Sequence, residues 1–187
     1  MENRLAIFKD KWGKLERYLG FEIRTRRTAI DSDACHDESI SYSLCQRFYG
    51  RKDELEKALA YANNMLDMID GILEPEGLPE YARKDYENYK STNTILLIYQ
   101  LVGNMYYMQG DFQRSAEHIM RCLSYERNDI GLWVELLFSL RSAGEFVLFE
   151  DAMFNFRALV IQWQADPDKI LTHQKVVELI DAVSGND

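Results

Sequence analysis

The amino-acid sequence predicts an all-α fold. Only 3 prolines and 10 glycines occur in 187 residues, so long stretches run without residues that interrupt a helix. Along these stretches apolar residues recur at intervals of three and four, which aligns them on one face of an α-helix. No region shows the evenly spaced short strands of a sandwich or barrel. Because 47% of the residues are hydrophobic, we expect residues 1–187 to bury one continuous core.

The first predicted helix lies within residues 1–30 and ends at Gly20. Its apolar residues share one stripe: Leu5, Phe8, Trp12, Leu15 and Leu19. Such a stripe either packs on the rest of the chain as a cap or forms a homodimer with a second copy, as in a coiled coil. The cap is favoured because the stripe is barely two heptads long. The segment carries eight basic and four acidic residues, so it is +4 while the remainder of the chain is −13.

A helix pair is predicted over residues 39–72. Its packing positions are Tyr42, Cys45, Tyr49, Ala58, Ala62 and Met65. Arg51, Lys52 and Asp53 occupy the turn, where Asp53 is able to cap the second helix. Residues 73–95 form an insertion, because Pro75, Gly77 and Pro79 mark a loop. A short tyrosine-rich helix follows at residues 80–90.

The clearest helix pair is predicted over residues 96–129. Gly103 is expected where two helices approach closely, and Gly110 supplies the positive φ that ends a helix. Asp111 then caps the second helix. Ser115 and Cys122 provide small inward-facing side chains.

The last predicted pair covers residues 130–165, with Gly144 at its turn. Phe149 stands where a small residue is expected, so the second helix is predicted to be longer or shifted. Its core stripe is Ala152, Phe156 and Leu159. A final helix over residues 168–184 is expected to cap the array, because terminal repeats need a polar outer face.

Together these patterns resemble the tetratricopeptide repeat, whose unit of about 34 residues pairs two antiparallel helices. The residues that carry the resemblance are Tyr99, Val102, Gly103, Tyr106, Gly110, Asp111, Phe112, Ser115, Ile119, Cys122 and Trp133. The resemblance implies a short, irregular α-solenoid with capping helices at both ends. It also implies a non-catalytic scaffold or adaptor that binds other proteins.

In tetratricopeptide arrays the first helix of each pair lines a concave groove that holds a peptide or a partner's helix. By position, the resemblance implies a groove formed by Arg47, Arg51, Gln100, Asn104, Tyr107, Met108, Glu135, Phe138 and Arg141. Tyr107, Met108 and Phe138 would exclude water from an apolar anchor of the ligand, while Asn104 and the arginines would fix its direction. Glu135 argues against a two-carboxylate clamp. The alternative is that Met108 and Phe138 pack internally because the array is too short to leave an open groove.

The net charge of −9 predicts that the chain does not bind nucleic acid, because most of its surface would repel phosphates. The amino terminus lacks the apolar core of a secretory signal, and the longest apolar run, near residues 95–102, is too short to span a bilayer. Cys35, Cys45 and Cys122 show no CxxC spacing. They suit free thiols in a reducing compartment, so cytoplasm is the expected location.

Catalytic signatures are missing from the sequence: it contains no GxSxG, GxxxxGK[ST], HExxH or GxGxxG motif. We therefore expect neither enzymatic activity nor a cofactor. Two alternatives stay open. One is a metal-dependent sensor or enzyme that uses Cys35, His36, His118 or Cys122, and the other is a chaperone of a secreted protein, since such chaperones are also small, acidic and helical.

Overall fold

A computed structural model describes residues 10–11, 13–17, 19–20, 40–70, 94–165, 178 and 180–181. Within these residues every regular element is an α-helix, which confirms the all-α prediction. The named helices are α1 (Ile40–Phe48), α2 (Lys52–Asp70), α3 (Thr94–Gln109), α4 (Phe112–Tyr125), α5 (Ile130–Ala143) and α6 (Phe146–Ala165). Within each of the two compact units described below, helices that follow each other in sequence pack together, whereas the solenoid arrangement stays a prediction.

The chain divides into two compact units, residues 1–109 and 110–187. The boundary falls inside the stretch 96–129 that best resembles a repeat. Several sequence predictions lie outside the described residues: Cys35 and His36, the loop and short helix within 73–93, and most of the helix 168–184.

In the first unit, α2 and α1 both pack on α3. The side-chain amide of Asn63 on α2 donates to the hydroxyl of Tyr106 on α3 at 3.0 Å. The core between these helices consists of aliphatic and aromatic side chains: Leu44, Phe48, Ala58, Ala62, Met65, Ile98, Leu101, Val102 and Met105. Ala58, Ala62 and Met65 are fully buried, as predicted for positions between packed helices. Cys45 and Tyr49, which the sequence pattern also placed inward, are exposed instead.

The amino-terminal helix packs on its own chain. Leu15 and Leu19 are fully buried, and the hydroxyl of Tyr61 on α2 donates to the carbonyl of Lys11 at 3.4 Å. Gly20 has φ 77° and its N–H bonds the carbonyl of Glu16 at 2.9 Å, which ends the helix as predicted. At Leu15 and Leu19 the stripe is therefore buried within the chain, and its role as a cap stays a prediction. The use of this helix as a dimer seam stays untested.

The turn between α1 and α2 differs from the prediction. Gly50 takes the left-handed conformation, with φ 70°, so the glycine lies just before the three residues to which the turn was assigned. The carbonyl of Arg51 accepts from the N–H groups of Glu54 and Leu55, so Arg51, and not the predicted Asp53, is the N-cap residue directly before α2. Asp53 lies in the first turn of α2, where its carboxylate faces the positive end of the helix dipole.

In the second unit, α4 packs on α5 and α5 packs on α6. Gly110 has φ 82°, and the carboxylate of Asp111 accepts from the N–H of Arg114 at 3.2 Å, as predicted. Asp129 caps α5 in the same manner, accepting from Leu132 at 3.0 Å. Gly144 has φ 75° and closes α5, so the turns expected at both glycines are confirmed.

Helix α6 is longer than its counterpart, as predicted: it has 20 residues and α4 has 14. Ala152, Phe156 and Leu159 are buried and form the expected stripe. On α4 the buried residues are Ser115, Ala116, Ile119, Cys122 and Leu123. The predicted inward position of Ser115 and Cys122 is therefore confirmed.

A hydroxyl pair joins α4 to α5 in the core of this unit. The Oγ atoms of Ser115 and Ser139 are 2.9 Å apart and buried. Ser139 also donates to the carbonyl of Glu135, one turn earlier, at 2.9 Å. Since a hydroxyl has one proton, this leaves Ser115 as the donor between the two serines.

We predict that this pair behaves as a coupled unit. Ser139→Ala removes the acceptor for a buried hydroxyl and should cost about 1–3 kcal/mol of the free energy of unfolding. Ser115→Ala should cost about 1 kcal/mol, because Ser139 keeps its bond to Glu135. The double variant should cost less than the sum. Urea denaturation measures all three, with Ser124→Ala on the exposed face of α4 as the control; strict additivity would contradict the coupling.

Candidate binding groove of the C-terminal unit

Two of the predicted groove residues, Arg47 and Arg51, are engaged within the chain. The guanidinium of Arg47 lies 2.9 Å from the carboxylate of Glu54 and 5.1 Å from the centre of the Phe48 ring. Arg51 lies 3.8 Å from the same carboxylate and is more exposed. Arg47 thus contributes to the junction of α1 and α2, and Arg51 is the more accessible of the two.

The predicted groove residues on α3 differ sharply in exposure. Gln100 is 1% exposed and Asn104 is 8% exposed. The side-chain amide of Asn104 donates to the carbonyl of Gln100 at 3.0 Å. Tyr107 is exposed and Met108 is half-buried. Of these four, only Tyr107 and Met108 offer surface to a ligand, which corrects the expectation that Gln100 and Asn104 line an open groove.

The remaining predicted positions lie on α5, in the other unit. Glu135 and Phe138 are half-buried, and Arg141 is exposed. Six of the predicted residues therefore belong to unit 1–109 and three to unit 110–187. Whether the two sets line one groove stays a prediction.

The structure contains a groove that sequence reasoning missed, on helices α4, α5 and α6. Its volume is about 410 Å³. The lining residues are mostly apolar: Met120, Leu123, Ser124, Arg127, Trp133, Leu136, Leu140, Leu148, Asp151, Ala152 and Asn155. We call this the α4–α6 groove.

The floor of the α4–α6 groove is built from core residues. Leu123, Leu136, Leu140 and Ala152 are all buried, so the floor is fixed by the packing of α5 between its neighbours. The upper walls are apolar and accessible: Met120 is 40% exposed and Leu148 is 46% exposed. An apolar ligand side chain would complete the burial of these two.

One end of the groove is held by a hydrogen bond to the backbone. The indole N–H of Trp133 donates to the carbonyl of Arg127 at 2.7 Å, which fixes the ring at the junction between α4 and α5. Because the polar atom of the indole is already satisfied, the ring presents an apolar surface to the groove.

The rim of the groove carries opposite charges on its two sides. Arg127 follows α4, whereas Asp151 lies on α6. Two further polar side chains on the rim bond their own helices: Ser124 donates to Arg121 at 2.7 Å and Asn155 donates to Asp151 at 2.9 Å. The arrangement is an apolar trough with one basic and one acidic edge.

A sequence signal for this groove existed at Met120. This residue is an exposed methionine on the polar side of α4, among Glu117, Arg121 and Ser124. The resemblance to repeat proteins predicted ligand contacts on the first helix of each pair. The walls of the α4–α6 groove come from the second helices, α4 and α6.

His118 and Cys122, the pair considered for metal binding, lie one turn apart on α4. Burial raises the pKa of the Cys122 thiol well above its ordinary value, and the carboxylates of Glu135 and Asp129 add to the effect. Burial also lowers the pKa of His118 to about 4, with a contribution from Arg121. A thiol held in its neutral form is a poor metal ligand. In the described part of the chain, no three His, Cys, Asp or Glu residues are grouped to hold a metal ion.

Comparison with known protein families, curated proteins and solved structures finds no match to this chain. The resemblance to tetratricopeptide repeats therefore depends on the residues quoted for it. Of the helices in the described residues, none has the length and apolar character needed to cross a membrane.

Proposed function

We propose that this protein is a non-catalytic adaptor that holds a segment of another protein in the α4–α6 groove. One observation carries the proposal: a groove with a fixed apolar floor and two accessible apolar walls, Met120 and Leu148. Grooves of this kind on helical scaffolds bind apolar anchors while their polar rim fixes direction. The resemblance of residues 96–129 to a protein-binding repeat supports the same class of function.

The ligand that fits best is a short amphipathic helix. A volume of about 410 Å³ takes a few side chains, such as apolar residues spaced three and four apart. The charges on the rim then set the orientation: an acidic residue beside the anchors would face Arg127, and a basic residue on the other side would face Asp151. Methionine at the wall adds tolerance, because its unbranched side chain adapts to different ligand shapes.

A selection experiment tests this proposal. We would select binders from a displayed library of amphipathic helical peptides and measure the dissociation constants of the selected peptides by calorimetry. Met120→Glu and Leu148→Asp should each weaken binding by about tenfold or more, because each places a charge against apolar ligand surface.

The matched control is Tyr125→Glu, which puts the same charge on an exposed aromatic residue of α4 that does not line the groove. This variant should bind like the wild type, and circular dichroism should show all three variants folded. Peptides that bind Met120→Glu and the wild type equally, or a selection that yields no binder, would refute the assignment of the groove.

A further inference from the structure

Helix α6 has a second apolar face, which points away from its own unit. Val147 is 79% exposed, Phe154 is 75% exposed and Ile161 is 66% exposed. These residues are seven apart, so they lie on one line along the helix. Ala158 and Ala165, also exposed, lie four residues after the last two. We call Val147, Phe154, Ala158, Ile161 and Ala165 the outer stripe.

The outer stripe is more apolar than a solvated helix face needs to be. A surface helix ordinarily carries polar residues opposite its buried side, as α4 does. A line of large exposed apolar side chains marks an interaction surface. We propose that the outer stripe is a self-association surface, on which α6 packs antiparallel against α6 of a second copy of this chain.

The spacing of large and small residues suits this symmetric pairing. With Phe154 on the two-fold axis, Val147 of one copy lies opposite Ile161 of the other. Ala158 and Ala165 leave space beside the large side chains, so the two helices can approach closely. The surface is thus complementary to itself, which a two-fold interface requires.

The charges beside the stripe select a second copy in the antiparallel direction. Glu150 and Arg157 are seven residues apart and exposed, so they lie on the same flank of the stripe. In an antiparallel pair, each flank meets the same flank of the other copy. Glu150 then lies within about 1.5 Å, along the helix axis, of Arg157 in the second copy. Two such ion pairs form, related by the two-fold axis.

A parallel pair would place Glu150 beside Asp151 of the other copy, since opposite flanks meet in that arrangement. Like charges would then face each other across the contact. Antiparallel packing also sets the positive end of each helix dipole beside the negative end of the other. Charge and dipole thus favour the same direction.

The size of the outer stripe indicates how tightly two copies of the chain should bind each other. A helix of 20 residues is about 30 Å long, and a contact along one helix falls at or below the low end of specific interfaces, about 1,200 Å² in total. We therefore expect a reversible dimer with a dissociation constant in the micromolar range. Because no residue of the outer stripe lines the α4–α6 groove, the dimer would carry two open grooves.

Sedimentation of the full 187-residue chain tests the proposal. Between about 1 and about 200 µM, the mass should rise from 21.9 kDa toward twice that value. Phe154→Glu should raise the dissociation constant at least about tenfold, without loss of helix by circular dichroism. Leu148→Asp, which changes a wall of the α4–α6 groove, should leave the dissociation constant of the dimer unchanged. The outer stripe and the proposed ligand groove are therefore tested separately.

Charge-reversal variants test whether the two copies of α6 pair in the antiparallel direction. Arg157→Glu and Glu150→Arg should each weaken the dimer, and the double variant Glu150→Arg, Arg157→Glu should recover it to within about threefold of the wild type. A chain that stays monomeric throughout would overturn the proposal and assign the stripe to another segment or another protein. A dimer indifferent to Phe154→Glu would overturn it as well, and a double variant that fails to recover would overturn the antiparallel pairing.

Discussion

Replacement of Phe156 with alanine should lower the free energy of unfolding by about 3–5 kcal/mol. Phe156 is fully buried at the centre of the inner face of α6, where this helix packs on α5. Removal of the ring loses the free energy gained by burying it and leaves a cavity that the surrounding helices fill only in part. The loss is a large share of the 5–15 kcal/mol typical of a whole domain.

The same helix provides a matched control two residues away. Phe154 is 75% exposed, so Phe154→Ala should change stability by less than about 0.5 kcal/mol. The free energy of unfolding of both variants should be measured by urea denaturation, at protein concentrations low enough to keep the chain monomeric. Similar losses for the two variants would mean that α6 does not bury the face described here.

Acidification should destabilise the C-terminal unit through His118. The pKa of this imidazole lies near 4 in the folded chain, against an ordinary value of 6.5. Burial is the main cause, and the positive charge of Arg121 adds to it. The imidazole therefore binds a proton more readily in the unfolded state. As the pH falls, protonation stabilises the unfolded state before it stabilises the folded state.

The pKa values of His118 in the unfolded and folded chain set the pH range over which stability is lost. Above pH 6.5 the imidazole is neutral in both states and its contribution to stability is complete. Between pH 6.5 and 4 the unfolded state takes up a proton first, so about 2–3 kcal/mol of stability is lost as the pH falls. Below pH 4 the folded state is protonated too, and this loss levels off.

Urea denaturation at several pH values checks this prediction. His118→Gln keeps a polar side chain of similar size but removes the titration, so its stability should fall less steeply than that of the wild type between pH 6.5 and 4. Parallel curves for the two proteins would show that His118 does not carry the effect. Carboxylates titrate at the acid end of the window, and comparison with the variant removes their shared contribution.

Helix α4 shows which features could be predicted from the sequence. Apart from Met120 and Tyr125, its apolar residues share one side, so periodicity identified the buried face, including Ser115 and Cys122. Its start depends on Gly110 and Asp111, whose effects act within one turn of the chain. Similar local causes fixed the ends of the helices at Gly20 and Gly144.

Helices α3 and α6 show where prediction from the sequence stopped. Helix α3 is apolar nearly all round, so periodicity does not decide which of its sides faces the core. On α6 the sequence predicted the buried stripe, but large apolar residues also occur outside that stripe. On α3, packing in the N-terminal unit buries Gln100 and Asn104, which the sequence had suggested as ligand contacts. On α6, packing against α5 leaves Val147, Phe154 and Ile161 in solvent.

The sequence by itself determined that this protein is helical, where most of its turns fall and which small residues lie between packed helices. These features depend on residues within about four positions of each other. Only the tertiary structure decided that Met120 and Leu148, from different helices, lie on the walls of one groove. It likewise decided that Val147, Phe154 and Ile161 on α6 are left in solvent. The physical reason is that exposure depends on neighbours distant in sequence, and an apolar side chain has no local property that records whether such a neighbour covers it.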